Sequence, residues 1–377
     1  MAAPKLRFKE FDGDWSAQKY KDVLTIKYGK DHKLLEDGEI PVYGTGGVMR
    51  YVNQYLYDGE SILIGRKGTI DQPKYVNEKF WTVDTLFYSE IKQNIYPLFI
   101  YQHALQVNWL GLNEATGVPS LNTTSINNVD IYLPSKEEQT KIASFLSAVD
   151  EKISQLTQKH ELLSQHKQGM MQKLFSQQIR FKADDGSEFG EWEEKIIGEI
   201  ANIKRGASPR PITDAKWFDE ESKVGWVRIS DVSKSKKILV ETEQYLSNEG
   251  IQKSRFIPKG NIIMSICATI GKPIYTGFDV CIHDGFVVFS ELKAWHEYTY
   301  YYLEYIEKNW YQYGQSGTQV NLNSDIVSNE IFPFPCLEEQ TKIANFLSAI
   351  DQKIEVVAQQ IEQAKQWKKG LLQQMFV

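Results

Sequence analysis

The sequence predicts an α+β chain in which two pseudo-symmetric α/β domains are joined by two long antiparallel coiled-coil helices. Three observations predict this. Pro134–Phe175 returns 201 positions later as the near copy Pro335–Phe376. Such a long-period repeat sets the architecture before any local element is read. The stretches before the two copies share a plan of strands, glycine turns and one helix, with little identity. Finally, the N-terminal Leu6-Arg7-Phe8-Lys9 is echoed by Ile179-Arg180-Phe181-Lys182, just after the first copy. The expected boundaries are 1–133 for the first domain and 134–180 for the first helix. Residues 181–334 form a connector and the second domain, and 335–377 the second helix.

The copies read as helices from their caps and their period. Ser135 with Glu138 three residues on is a capping box, and Cys336 weakens that cap in the second copy. Apolar residues recur in heptads at Ile142, Val149, Leu156, Leu163 and Met170, beside Leu146, Ile153 and Leu174. The second copy gives Ile343, Ile350, Val357, Ala364 and Leu371, beside Leu347, Ile354, Ile361 and Met375. A 3.5-residue spacing kept over about five heptads is a coiled-coil seam. Some 40 residues at 1.5 Å each make a rod of roughly 60 Å. His160, Lys167 and Lys368 interrupt the apolar rows, either setting the register or lying at the seam's edge with their heads in water.

Each domain opens on a tryptophan, WSAQKYKDVLTIKYG at Trp15 and WEEKIIGEIANIKRG at Trp192. In the first domain IPVYGTGGVMRYV reads as strand, glycine turn, strand, and SILIGRKGTI as a strand ending in a basic turn. Residues 95–109 read as a helix and GVPSLNTTSINNVDIYLP as a loop and closing strand. In the second domain VGWVRISDV answers EIPVYGTGG, Ala268-Thr269-Ile270-Gly271 answers Gly68-Thr69-Ile70-Asp71, and His283-Asp284 answers Val83-Asp84. Connectivity fixes the helix directions. A domain whose ends lie close together places the end of the first helix beside the start of the second, so the two run antiparallel. The Leu-Arg-Phe-Lys echo then puts the N-terminus near the end of the second helix.

Composition excludes several classes. No apolar run reaches membrane-spanning length, and the N-terminus lacks a signal-peptide core, so a cytoplasmic protein is expected. Cys267, Cys281 and Cys336 suggest no disulfide framework, and Cys267, Cys281 and His283 match no zinc spacing. Gly271-Lys272-Pro273 lacks the rest of a phosphate loop, and Gly44–Met49 fails the dinucleotide fingerprint. Glu193-Glu194-Lys195 and Glu221-Ser222-Lys223 are triplets of a kind that chance supplies often. No catalytic residue, metal site or cofactor is therefore expected in this chain.

Binding equipment is better represented. The net charge is −6, yet residues 204–272 hold 13 Lys+Arg against 8 Asp+Glu, between acidic flanks. A basic block so bounded can present a positive face on an acidic protein. Basic residues at glycine turns suit phosphates and base edges. The candidates for DNA are Tyr43 and Thr45, Arg66 and Lys67, then Lys204, Arg205, Ser208 and Arg210, with Lys272, Gln315 and Gln319.

The motif EEQ-x-K-I-A-x-F-L-S-A-(V/I)-D-x-K-I, present twice after Leu-Pro or Phe-Pro, resembles the conserved helix of specificity subunits of type I restriction-modification systems. The resemblance covers essentially the whole chain, including IPVYGTGGV and ILIGRKGTI. It implies two target recognition domains, each reading half of a split, asymmetric double-stranded DNA site, with the helices as spacer. It implies docking of two methyltransferase subunits on the helices, with motor-restriction subunits in the full complex. S-adenosylmethionine, ATP and magnesium would then be bound by those partners. Candidate partner and coiled-coil residues are Glu138, Gln139, Ile142, Leu146, Val149, Ile153 and Leu156. Their counterparts are Glu339, Gln340, Ile343, Leu347, Ile350, Ile354 and Val357. The competing expectation is a coiled-coil scaffold carrying two peptide- or protein-binding domains.

Overall fold

A computed structural model describes residues 3–313 and 322–377. The chain forms two compact units, Met1–Lys159 with Val357–Val377, and His160–Val356. The division cuts both long helices, so the last residues of the chain belong with the first domain, as the N-terminal echo predicts.

In the first unit, β1 (Ser16–Lys19) leads through a single helical turn α1 (Tyr20–Val23) into β2 (Leu24–Tyr28). There follow β3 (Asp37–Gly44), β4 (Gly47–Val52), β5 (Tyr57–Gly65), β6 (Lys74–Thr82) and β7 (Leu86–Ile91). They form one six-stranded sheet in the order β2-β7-β5-β6-β3-β4, antiparallel except between β3 and β6. Helix α2 (Pro97–Ala104) starts on a proline, whose missing N–H costs nothing at that position. The helix expected over 95–109 stops at Ala104, with a single 3-10 turn at Leu110–Leu112. Asn122 caps α3 (Thr123–Asn127), and β8 (Asp130–Leu133) pairs with β1. Helix α4 (Lys136–Phe175) then begins and runs on into the second unit.

The second unit repeats this order with insertions. It holds β9 (Glu193–Ile196), α5 (Ile197–Ile200), β10 (Asn202–Arg205), β11 (Gly225–Val227) and α6 (Ile229–Lys234). Next come β12 (Ile238–Leu239), β13 (Gln244–Tyr245), α7 (Asn248–Gln252), β14 (Arg255–Ile257) and β15 (Ile262–Ser265). Then follow β16 (Pro273–Thr276), β17 (Val280–Ile282), β18 (Phe286–Ser290), α8 (His296–Tyr305), α9 (Ser324–Asn329), β19 (Ile331–Phe334) and α10 (Leu337–Met375). The strand matching β6 is broken into β16 and β17, and the sheet splits into the orders β10-β18-β15-β16-β12 and β13-β11-β17-β14. Where the first domain turns back in the hairpin β3–β4, the second forms α6, so GTGG and RISDV are not structural equivalents.

The helix pair is antiparallel within each unit. In the first, Ile142, Leu146 and Val149 share a core with Leu371, Leu372 and Met375. In the second, Met171 and Leu174 share one with Ile343 and Leu347. Met171 rather than Met170 is the buried residue, because a straight 3.6-residue helix drifts against a strict heptad. The two seam lysines are paired rather than solvated. Lys368 Nζ lies 2.6 Å from Asp150 Oδ1, and Lys167 Nζ lies 2.8 Å from both Asp351 Oδ1 and Glu304 Oε2. Each lysine thus meets an aspartate of the facing helix, which penalises a slipped register.

Candidate nucleic-acid interface

Four backbone segments of the first domain converge at the ends of β3, β5 and β7. The amides of Arg66 and Lys67 both donate to Thr85 O, and Gly68 N donates to Pro119 O. Gly68 has φ +91°, and a Cβ there would lie 3.8 Å from Thr45 Oγ1. The turn at Thr45, the basic turn at 66–68, and the loops at 83–85 and 117–121 therefore form one surface. Tyr43 is half-buried and donates to Glu78 Oε1 at 2.6 Å; burial and that carboxylate push its hydroxyl up to about 12. Arg66 donates from Nη1 to Asp84 O at 3.0 Å and lies over the Tyr28 ring. Lys67 is exposed.

The second domain builds a matching surface with other residues. Gly206 N donates to Phe286 O as Gly29 N does to Leu86 O, and Ile266 N to Gly285 O as Arg66 N does to Thr85 O. Leu322 N donates to Ile266 O as Leu121 N does to Arg66 O. A Cβ on Gly29 would collide with Val83 O, and one on Gly206 with His283 O, so each glycine is required by close approach. Ala268 keeps the positive φ of Gly68, at 58°. Arg205 donates from Nε to Asp284 O at 2.6 Å, and Ser208 to Asp284 Oδ1 at 3.1 Å. Lys204 and Arg210 are exposed. Sequence reading had no reason to single out Arg255, whose Nε donates to Arg205 O at 2.5 Å and so supports this strand end.

One expected DNA residue is committed elsewhere. Lys272 Nζ donates to Val232 O at 2.8 Å and Ser235 O at 2.9 Å, closing the C-terminus of α6. The helix-end carbonyls hold its ammonium, and burial lowers its affinity for the proton. Gln315 and Gln319 lie outside the described residues. Among the described residues no cluster of His, Cys, Asp and Glu is arranged to hold a metal ion.

The repeated Glu-Glu-Gln has an internal role. Glu138 accepts from Arg7 Nε at 2.7 Å and Nη2 at 2.8 Å, while Arg7 Nη2 also reaches Gly13 O. Glu339 accepts from Arg180 Nε at 3.0 Å and Nη2 at 2.7 Å, while Arg180 Nη2 reaches Gly190 O. Gln139 accepts from Tyr96 N and donates to Pro134 O; Gln340 does the same with Trp295 N and Pro335 O. All four side chains are buried. This corrects their reading as a docking face, because they tie each domain to its own helix. Ser135 Oγ accepts from Glu138 N at 3.3 Å, but the return half of the capping box is lost to Arg7. Of the seam residues, Ile153 and Ile354 are partly exposed; Ile142, Leu146, Val149, Leu156, Ile343, Leu347, Ile350 and Val357 are buried.

A family model described as the type I restriction modification DNA specificity domain matches residues 12–165 and again 190–366. The chain belongs to this family. It is similar to the type I restriction enzyme MjaVIII specificity subunit of Methanocaldococcus jannaschii, at 26% identity over 97% of this chain and 94% of that one. The putative MjaX specificity subunit of the same organism is 29% identical over 74% of this chain and 66% of its own length. The fold matches the S subunit of a type I restriction-modification system from M. genitalium, with TM-score 0.63 and 16% identity over 100% of this chain and 99% of that one. It also matches a chain from a study of assembly and conformational transition of the type I R-M system, with TM-score 0.61 and 15% identity over 96% and 97%. The protein is a DNA specificity subunit of a type I restriction-modification system, with the two-domain, long-helix fold of such subunits. Among the described residues no helix is long and apolar enough to cross a membrane.

Proposed function

We propose that each domain of this specificity subunit reads one part of an asymmetric, two-part DNA site, and that the helices set the separation of the parts. Two methyltransferase subunits dock on the chain and motor-restriction subunits join them. Methylation and cleavage, with S-adenosylmethionine, ATP and magnesium, belong to those partners, and the assembly works in the cytoplasm. One observation carries this reading. The same Arg–Glu and Gln joint is built twice from identical residues, at 2.7–3.0 Å, beneath domains whose loops differ. Two unlike readers on one kind of mount call for two unlike half-sites, and a linked pair gains effective concentration at the second.

Replacing residues 192–334 with the corresponding domain of another specificity subunit tests it, with methylated sequences mapped genome-wide. One half of the site is expected to change and the other to persist. A change in both halves, or in neither, overturns modular reading.

A further inference from the structure

The two domains put a guanidinium on the same backbone carbonyl by different routes. In the first, Arg66 follows β5 and donates from Nη1 to Asp84 O, at 3.0 Å, over the ring of Tyr28 at the end of β2. In the second, the residue matching Arg66 is Ile266, 1% exposed, and the residue matching Tyr28 is Arg205. Arg205 donates from Nε to Asp284 O at 2.6 Å, and Asp284 is the match of Asp84. The matching amides of Arg66 and Ile266, of Gly29 and Gly206, and of Leu121 and Leu322 fix these equivalences independently of side chains.

Folding does not demand this coincidence. Asp84 is exposed, so water can satisfy its carbonyl, and the second domain accommodates an isoleucine where the first has arginine. The cation's place has been kept while its source has moved. Arg66 retains Nε and Nη2, and Arg205 retains Nη1 and Nη2, without a hydrogen-bond acceptor among the described residues. Arg205 is 53% exposed, with Asp284 Oδ2 at 4.0 Å as a longer ionic neighbour. Two N–H-bearing nitrogens on a guanidinium whose third is fixed to the backbone form a donor pair held in orientation. That pair matches O6 and N7 of guanine in the major groove.

We infer that Arg66 and Arg205 are the corresponding base-reading residues of the two half-sites, one guanidinium position reached from two different strand ends. The inference rests on the two-part reading above and names the contact by which each part is read. Lys67 and Lys204, exposed beside them, are left to meet phosphates.

The test uses the chain in complex with its methyltransferase subunits, with methylation measured on oligonucleotides carrying every single-base change. A wild-type complex that needs an undivided site overturns the two-part reading, and the inference with it, before any variant is made. Arg66→Ile is expected to reduce discrimination at one base pair of one half-site by about 10- to 100-fold. Arg205→Tyr does the same in the other half only. The relocated pair Tyr28→Arg with Arg66→Ile, copying the second domain's arrangement, is expected to recover preference at that same base pair. Arg66→Lys, which keeps the charge but not the paired donors, is expected to fail there. Uniform weakening over all sequences would assign a phosphate contact and overturn base reading. Unchanged discrimination in Arg66→Ile or Arg66→Lys overturns it as well. So does a relocated pair that melts like wild type yet discriminates no better than Arg66→Ile.

Discussion

Replacing Glu339 by alanine should destabilise the second unit by about 4 kcal/mol, more than Glu138→Ala destabilises the first. The Glu339 side chain is fully buried and accepts three hydrogen bonds, two from Arg180 and one from Trp192 Nε1 at 2.8 Å. Removing one partner of a buried ion pair costs about 3–5 kcal/mol, since the other charge is left unpaired. Arg180 keeps 24% of its side chain exposed, and water reaching it puts the ionic part at the lower end of that range. The orphaned indole N–H adds roughly 1 kcal/mol. Glu138 has the same arginine geometry, but Trp15 Nε1 is buried without a partner among the described residues, so nothing of that kind is lost there. With Arg7 16% exposed, the expected loss for Glu138→Ala is the ionic part alone, about 3 kcal/mol. Urea unfolding gives the size of each loss, and hydrogen exchange of amides 337–345 and 136–144 shows which unit has loosened. Glu137→Ala, on an exposed first-turn carboxylate, is the control. A loss below about 1 kcal/mol for Glu339→Ala, or one equal to the control's, would refute the account of the joint.

Two other outcomes follow from buried polar groups. His103 Nδ1 lies 2.9 Å from Tyr20 Oη, and burial holds the imidazole's pKa down to about 4, against 6.5 when free. The unfolded chain therefore takes up a proton that the folded one refuses, and stability falls as pH drops from 6.5 towards 4, by roughly 3 kcal/mol in all. His103→Gln should flatten that slope, and parallel pH profiles for the two proteins would contradict it. Lys272→Met should cost about 1–2 kcal/mol through loss of the α6 cap. It should leave the salt dependence of DNA binding by the complex unchanged; a slope reduced by about 0.9 would return Lys272 to the phosphate backbone.

The helices were legible because their information is local and repeated. Caps, heptads and a repeated run of identical residues lie within 42 residues, and connectivity alone gave their antiparallel sense. The joint was half legible. The Leu-Arg-Phe-Lys echo pointed to Arg7 and Arg180, but not to their partners, which stand 131 and 159 residues away. A glutamate in the first turn of an amphipathic helix ordinarily faces water, and nothing in its own segment announces a buried arginine. Lys272 misled for the same reason. A lysine after a glycine turn suits phosphate until a six-residue helix, 40 positions earlier, is found to end beneath it. The loops proposed to read DNA stand out in the sequence as basic turns, but their pairing between domains was hidden. Tyr28 and Arg205 are unlike side chains, and only the amide bonds that flank them show that they occupy one place.

This distribution has a physical logic. An ion pair buried against glutamine and backbone groups adds little net stability over well-packed apolar residues, yet it tolerates few geometries. A mount of that kind orients a domain on its helix through backbone atoms and a handful of identical side chains. The amide of Tyr96 or Trp295, the carbonyl of Gly13 or Gly190 and the carbonyl of Pro134 or Pro335 take part whatever the loops above contain. The loops are then free to change. The first domain keeps a hairpin where the second has α6, and the guanidinium that both retain has moved from one strand end to another. Among the described residues no side chain of the mount belongs to the proposed reading surface, so its loops can diverge without disturbing the mount.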